Sequence, residues 1–323
     1  MLIDKYDRIA NYLRLGVTDR CNLRCRYCMP AEGIDFADRA DIMSYEEIVR
    51  ICRIMAGLGV NKVRLTGGEP FVRKEIDVLL RSLAEIFESV HITTNATLLH
   101  KHVDLLNEIK VAGLNISLDS LHRERFFMIT RRDDYDIVQD NIRLLLDQGL
   151  PIKINMVVMK GINDGEILDF VRYGMEHDVS VRFIEAMPFN AYDGNRKVFM
   201  PATEIVQVIK EHYPQLVKME AGAASSADHY SIGSYQLGVI PAYTRSLCGS
   251  CNRIRLTPKG ELMTCLYATA GTAMLPLLRD INMTDTELQK VIIDATARKK
   301  KTGHVEEQLQ KGQGYRSMTT IGG

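Results

Sequence analysis

With 323 residues, 46% of them apolar and 25% charged, the chain has the make-up of a globular protein with room for one large α/β domain or two smaller ones. Lys plus Arg and Asp plus Glu each total 41, so no global basic field gathers nucleic acid, and none is expected as a partner. No apolar run nears the roughly 20 residues of a membrane helix, and the first ten residues lack a signal peptide's apolar segment. The expected setting is cytoplasmic, without a membrane partner.

From residue 12 to about residue 186, short β-branched runs alternate with helix-periodic segments. Strands are expected at 12–17, 62–66, 91–94, 113–118, 152–159 and 180–184. Helices are expected at 44–58, 75–88, 98–110, 135–148 and 166–176. Ser44 followed three residues later by Glu47 is a capping-box signature. Six βα repeats imply a parallel sheet, barrel-like or doubly wound. The G-x-G-x-x-G dinucleotide fingerprint is missing, which weakens the doubly wound reading. Polar and glycine residues collect just after the strands, as in Thr66-Gly67-Gly68-Glu69-Pro70, Thr93-Thr94-Asn95 and Ser117-Leu118-Asp119. In barrels, that end of the strands carries the active site.

Beyond about Pro188 the alternation stops. Residues 221–228 read as a flexible connection, and a boundary falls near 220. Strands are expected at 235–239 and 253–257, with a turn at Pro258-Lys259-Gly260, and a helix at 285–298. Lys299-Lys300-Lys301 then reads as a solvated helix end, and the glycine-bearing tail from Gln310 as terminal disorder.

Seven cysteines, an odd number with tight local spacings, argue for metal over disulfides. Cys52, alone in a helical run, reads as a small core residue. Cys21, Cys25 and Cys28 form C-x3-C-x2-C, one thiolate short of a closed iron–sulfur cubane. An open site at a metal is where substrates and cofactors bind. Zinc completed by a distant ligand is the competing reading, though the loop has no nearby His. The second triplet is Cys248, Cys251 and Cys265, for which structural zinc is an equal alternative on spacing alone. Asn252-Arg253-Ile254-Arg255 follows directly, and two arginines two apart on a strand share one face beside the metal. Such guanidinium forks suit phosphate oxygens and purine edges. Arg14, Arg64 and Lys153 also lie on or beside expected strands, where a lone cation is costly to bury.

The first triplet, with Tyr27 before its last Cys, resembles the radical S-adenosylmethionine (SAM) superfamily. Together with R-x-T-G-G-E-P, T-T-N, S-L-D, R-F-I-E-x-M and C-x2-C-x-R-x-R, it resembles the GTP 3′,8-cyclase family, the molybdenum cofactor biosynthesis A proteins, over nearly the whole chain. The resemblance implies an open, TIM-like parallel β/α barrel of about six βα units over residues 1–220. A C-terminal α+β module over 221–323 would close the barrel opening. It implies two [4Fe–4S] clusters, on Cys21, Cys25 and Cys28 and on Cys248, Cys251 and Cys265. SAM would meet Tyr27, Gly68, Ser117 and Met187. GTP would meet Arg14, Arg64, Thr93, Lys153, Arg253 and Arg255, the last two also stabilising the reacting substrate, with no catalytic residue beyond the clusters. It further implies that the final Gly322-Gly323 reaches the active site, and that the product passes to cyclic pyranopterin monophosphate synthase. Electrons would come from a reductant such as flavodoxin or ferredoxin, and the family admits a homodimer. Ala96 stands where the family usually has Gly after T-T-N, so a left-handed backbone there carries a Cβ penalty. The rival readings are a peptide-modifying radical SAM enzyme with an auxiliary cluster and a non-catalytic iron–sulfur electron carrier.

Overall fold

Six strands run in sequence order because each β-branched run is returned by a helix to the same end of its neighbour. They are β1 (Tyr12–Gly16), β2 (Lys62–Thr66), β3 (Ser89–Thr94), β4 (Gly113–Ser117), β5 (Ile152–Val158) and β6 (Ser180–Glu185). The computed structural model describes residues 1–187, 197–220, 225–244, 248–308 and 317–322. Neighbouring strands from β1 to β6 pair in parallel without reversing order, so the sheet is of the barrel type and not doubly wound.

The C-terminal strands extend both edges of this sheet. β7 (Val217–Lys218), β8 (Asp228–Ile232) and β9 (Tyr235–Ile240) join beyond β6, with β9 parallel to it. β10 (Arg253–Leu256), β11 (Glu261–Met263) and β12 (Thr272–Ala273) join beyond β1, with β10 parallel to it. Among the described residues the result is one open sheet of 12 strands with β12 and β7 at its ends. The expected incomplete barrel is the observed architecture.

Strand alternation divides the two faces. Leu13, Leu15, Val63, Leu65, Ile154 and Met156 are fully buried on the helix side. There they meet the apolar stripes of α1 (Tyr45–Gly57), α2 (Ile76–Ile86), α3 (Val103–Glu108), α4 (Arg123–Thr130), α5 (Tyr135–Asp147) and α6 (Ile167–Glu176). Each such aliphatic side chain contributes about 1.5–3 kcal/mol by leaving water. Cys52 is one of them, buried on α1 as expected. The α1 capping box forms: the Ser44 hydroxyl accepts from the Glu47 amide and the Glu47 carboxylate from the Ser44 amide.

Some expectations need correction. The helix expected at 98–110 is interrupted, because His102 leaves helical geometry to bond Asp77 at 2.8 Å and stack on Phe71. Asp228, assigned to a flexible connection, opens β8; residues 221–224 of that stretch lie outside the described residues. Lys299 is not a solvated helix end: it follows α9 (Asp285–Ala297) but is only 3% exposed. Helices α4, α7 (Ala202–His212), α8 (Leu275–Arg279), α10 (Gly303–Gln308) and α11 (Met318–Ile321) were not anticipated.

Gly174 shows how the C-terminal strands are locked on. A Cβ there would stand 1.9 Å from the hydroxyl of Tyr235 on β9, which bonds the backbone of Val179 and Val181. Helix propensity favours alanine by about 1 kcal/mol, but overpacking against a fixed neighbour costs about 1–3 kcal/mol. Gly174→Ala is therefore expected to lower stability by up to about 2 kcal/mol in urea unfolding. Adding Tyr235→Phe should recover part of that loss; a stabilised single variant would contradict this packing.

Candidate active site

The loop after β1 carries the first three cysteines and is pinned from several sides. The Arg24 and Arg26 amides donate to the carbonyls of Thr130 and Ile129, both at 2.9 Å. The Arg131 guanidinium spans the Arg24 and Met29 carbonyls. The Tyr27 hydroxyl donates to Asp119 at 2.8 Å, whose other oxygen accepts from the Val157 amide. Gly67-Gly68 runs against this loop from the end of β2. A Cβ at Gly68 would lie 2.1 Å from the Arg20 carbonyl oxygen, so only glycine permits the approach. Glu69, 1% exposed, accepts from the Phe71 and Asn95 amides and the Thr94 hydroxyl, tying the β2 rim to the β3 rim.

Ala96 follows that rim in the left-handed region, with φ of 64°. Its amide is held by the Thr94 hydroxyl and its carbonyl by Asn141. The position needs the geometry glycine would adopt freely, and local bonds hold alanine in it.

Burial pushes the Cys21 thiol up to about 11, with Glu69 adding to the effect. Burial pushes Cys25 and Cys28 higher still, Cys25 further by Cys28, Asp119 and Cys21, and Cys28 further by Cys21 and Asp119. Such thiols stay protonated at neutral pH unless a metal takes the proton's place.

The second triplet lies across the same cavity. Cys248 and Cys251 precede β10 and Cys265 follows β11. The Arg8 guanidinium bonds the carbonyls of Cys248, Lys300 and Lys301, and Lys299 donates to the carbonyls of Cys251 and Arg253. Burial would raise Cys251, but Arg253 and Lys299 bring it down to about 6. Cys265 is pushed up to about 11 by burial. The three thiols of each set are donors suited to iron–sulfur ligation; among the described residues no three close to single-ion spacing.

Both loops open into one cavity of ≈ 340 Å³. Register places its cations: Arg14 pairs with Arg64 on one side and Arg255 on the other, and Tyr12 stands level with Lys62 and Arg253. Arg182 enters from β6, opposite Gly238 of β9. No carboxylate pairs with Arg14, Arg64, Arg182, Arg253 or Arg255 among the described residues, and the buried Arg14 Nε has no partner. Burial and the neighbouring guanidiniums push Arg255 well below its usual value, and Arg182 to about 10. His91, buried beside Arg64, Lys62, Lys153 and Arg182, is held neutral with a pKa of about 3. The two acids on the wall are already engaged, Asp119 as above and Glu185 by the Ala202, Tyr243 and Thr244 backbone.

Residues 15–174 match the radical SAM superfamily, and residues 179–305 match the Molybdenum Cofactor Synthesis C family. The GTP 3′,8-cyclase of Moorella thermoacetica is 39% identical over 99% of both chains. That of Geobacter sulfurreducens is 44% identical over 86% of each. The mitochondrial GTP 3′,8-cyclase of Arabidopsis thaliana is 37% identical over 100% of this chain and 84% of its own. The chain belongs to the GTP 3′,8-cyclase family. Its fold is shared with Streptococcus suis SuiB, a structure solved with bound SAM: the TM-score is 0.66 at 17% identity, covering 93% of this chain and 68% of SuiB. No helix among the described residues is long and apolar enough to cross a membrane.

Within this cyclase fold the cavity wall holds all six paired-loop cysteines, Tyr27, Gly68, Ser117 and Met187, and Arg14, Arg64, Thr93, Arg253 and Arg255. Lys153 is the exception. It shares the inward face of β5 with Asn155 and Val157 but sits nearer the strand's start, below the wall proper. Sequence reasoning missed Tyr12, Lys62, Arg182, Arg8 and Lys299. The inward parity of Tyr12 and Lys62 with Arg14 and Arg64 was a usable signal; Arg8 and Lys299 offered none.

The tail also reaches the site. The Ser317 hydroxyl donates to the Cys28 carbonyl at 2.8 Å, and the Arg255 guanidinium holds the Gly322 carbonyl. A Cβ on Gly322 would lie 2.7 Å from the Thr66 hydroxyl. Gly323 lies outside the described residues, as does Gln310, where tail disorder was expected to begin.

Glu69 predicts a pH effect. Burial raises its carboxyl to about 7 from 4.5, so between those values the folded state binds more protons than the unfolded one. Stability then falls as pH rises through that window and levels off above it. In the iron-free protein, Glu69→Gln should remove this decline, seen as a flatter stability-versus-pH curve from pH 5 to 7. Parallel curves for the two proteins would refute the assignment.

Proposed function

We propose that the chain cyclises GTP to (8S)-3′,8-cyclo-7,8-dihydroguanosine 5′-triphosphate by radical SAM chemistry, the first step of molybdenum cofactor (molybdopterin) biosynthesis. The observation that carries this reading is the set of guanidiniums, without a carboxylate partner among the described residues, lining one cavity between two sets of three cysteines. A triphosphate of roughly four negative charges is the ligand that relieves their mutual repulsion. A peptide backbone offers no such charge, and an electron carrier needs no such cavity.

In this reading Cys21, Cys25 and Cys28 would hold one [4Fe–4S] cluster at which SAM would bind. Cys248, Cys251 and Cys265 hold a second cluster facing the substrate. With cluster and SAM bound, the first centre supplies a primary carbon radical for hydrogen abstraction at ribose C3′. The chain's own groups do the positioning. Asp119 fixes Tyr27 against the SAM site, Gly68 lets the backbone approach it, and Ser117 and Met187 shape its other sides. Arg14, Arg64 and Arg182 grip the phosphates from three strands, with Lys153 adding charge from below and Thr93 a hydroxyl. Arg253 and Arg255 orient the guanine beside the second centre. Residues 221–323, with the tail at Ser317–Gly322, shut the mouth that residues 1–220 leave open. Closure matters because a primary radical takes hydrogen from whatever it reaches. The product is handed to cyclic pyranopterin monophosphate synthase, and electrons arrive from a flavodoxin- or ferredoxin-type reductant.

Anaerobically reconstituted protein given GTP, SAM and a strong reductant should yield methionine, 5′-deoxyadenosine and the cyclised nucleotide together. The first two without the third would sink the cyclase reading. Arg253→Ala and Arg182→Ala should each raise the GTP KM roughly ten- to hundredfold, the loss of one charged hydrogen bond, while the iron spectrum of the first centre stays unchanged. Unimpaired cyclisation in both variants would move the substrate elsewhere.

A further inference from the structure

The segment 299–303 is built into the second cysteine loop. The Lys299 ammonium donates to the Cys251 and Arg253 carbonyls, each at 2.9 Å, and to the Cys251 Sγ at 3.4 Å. Four residues on, the Gly303 amide donates to the Cys248 Sγ, also at 3.4 Å. One short stretch thus aims two N–H donors at two of the three sulfurs.

A buried ammonium needs more than satisfied donors. Two carbonyls complete its hydrogen bonds without cancelling its charge, and an unpaired buried cation is costly. Among its hydrogen-bond partners, the Cys251 sulfur alone can carry a negative charge. A thiolate there is also the form that ligates metal.

We propose that Lys299, assisted by the Gly303 amide, tunes the metal centre of Cys248, Cys251 and Cys265, holding its reduction potential above that of the centre at Cys21, Cys25 and Cys28. This rests on the second-cluster reading given above. A fixed positive charge and N–H···S bonds favour the more negative, reduced state of a cluster and so raise its potential. The first centre is less positive. The carboxyls of Glu69 and Asp119 stand near its thiols against the Arg24 guanidinium, and a neutral amide donor, Asn95, reaches the Cys21 Sγ at a longer 3.8 Å. Lys299 donates to a ligating sulfur, so its role is to set the centre's electrostatics.

The test is iron and sulfide counting, followed by EPR-monitored redox titration, on reconstituted wild type, Lys299→Met and Lys299→Arg. Wild type should carry two clusters. In Lys299→Met the second midpoint should fall far enough to change the reduced-to-oxidised ratio by about tenfold, about 59 mV for one electron. The first midpoint should not move, and Lys299→Arg should stay near wild type. Should Lys299→Met fail to assemble the second cluster, Lys299→Gln, an amide donor without charge, is titrated under the same criteria. Two clusters with an unmoved second midpoint overturn this inference alone, as does a shift in Lys299→Arg equal to that in Lys299→Met. Wild type holding iron and sulfide for one cluster overturns the second-centre reading and this inference with it.

Discussion

Guanidiniums gathered on the inward face of a parallel sheet, Arg64 and Arg255 among them buried, are the constraint around which this molecule is arranged. Arg14 lies in register between Arg64 and Arg255, with Arg253 and Arg182 facing the same cavity. Like charges about 4 Å apart repel by about 4 kcal/mol at an effective dielectric of 20. No carboxylate among the described residues offsets them, although the chain as a whole is neutral. The opposite face of the same strands provides the compensation. Leu13, Leu15, Val63 and Leu65 alternate with those cations and are fully buried against helices. Strict two-residue periodicity thus lets one strand be both a core element and a charged wall.

Topology turns that wall into a site. Parallel strands bring all their C-terminal ends to one rim, so the Cys21–Cys28 loop, the glycine pair after β2 and Asp119 after β4 meet without long excursions. The C-terminal strands then carry the second cysteine loop to the same rim by extending the sheet from β1. Its position depends on contacts remote in sequence, with Arg8 near the N-terminus and Lys299 near the C-terminus both gripping its carbonyls. The docked tail adds a third tie, from Arg255 to Gly322.

What was legible in the sequence follows from how local each signal is. The six parallel strands declare themselves by β-branched runs between helix-periodic segments, and the cysteine motifs by spacing alone. The edge hairpins do not: β7 and β12 are two residues each and gain their form only by pairing. Lys299 looked like one charge of a basic run, because nothing adjacent announces that it folds onto Cys251. Ala96 was flagged for lacking glycine, yet it takes the left-handed backbone because Thr94 and Asn141 hold it there. Arg182 lies inside a motif quoted for its family resemblance, but only strand register shows that it points at the same cavity as Arg64.

The two cysteine sets are alike in composition and different in electrostatics. Glu69 and Asp119 stand near the first, both buried and both engaged in fixing backbone. Arg253 and Lys299 stand beside the second and lower Cys251 while burial raises Cys21, Cys25, Cys28 and Cys265. A pair of interchangeable electron-transfer centres has no need of such a difference. A centre that must release an electron to cleave a bond gains driving force from negative surroundings. A centre that must hold an anionic nucleotide gains affinity from positive ones. The different fields at the two ends of one cavity fit the different work proposed for the two cysteine sets, with the guanidinium wall between them.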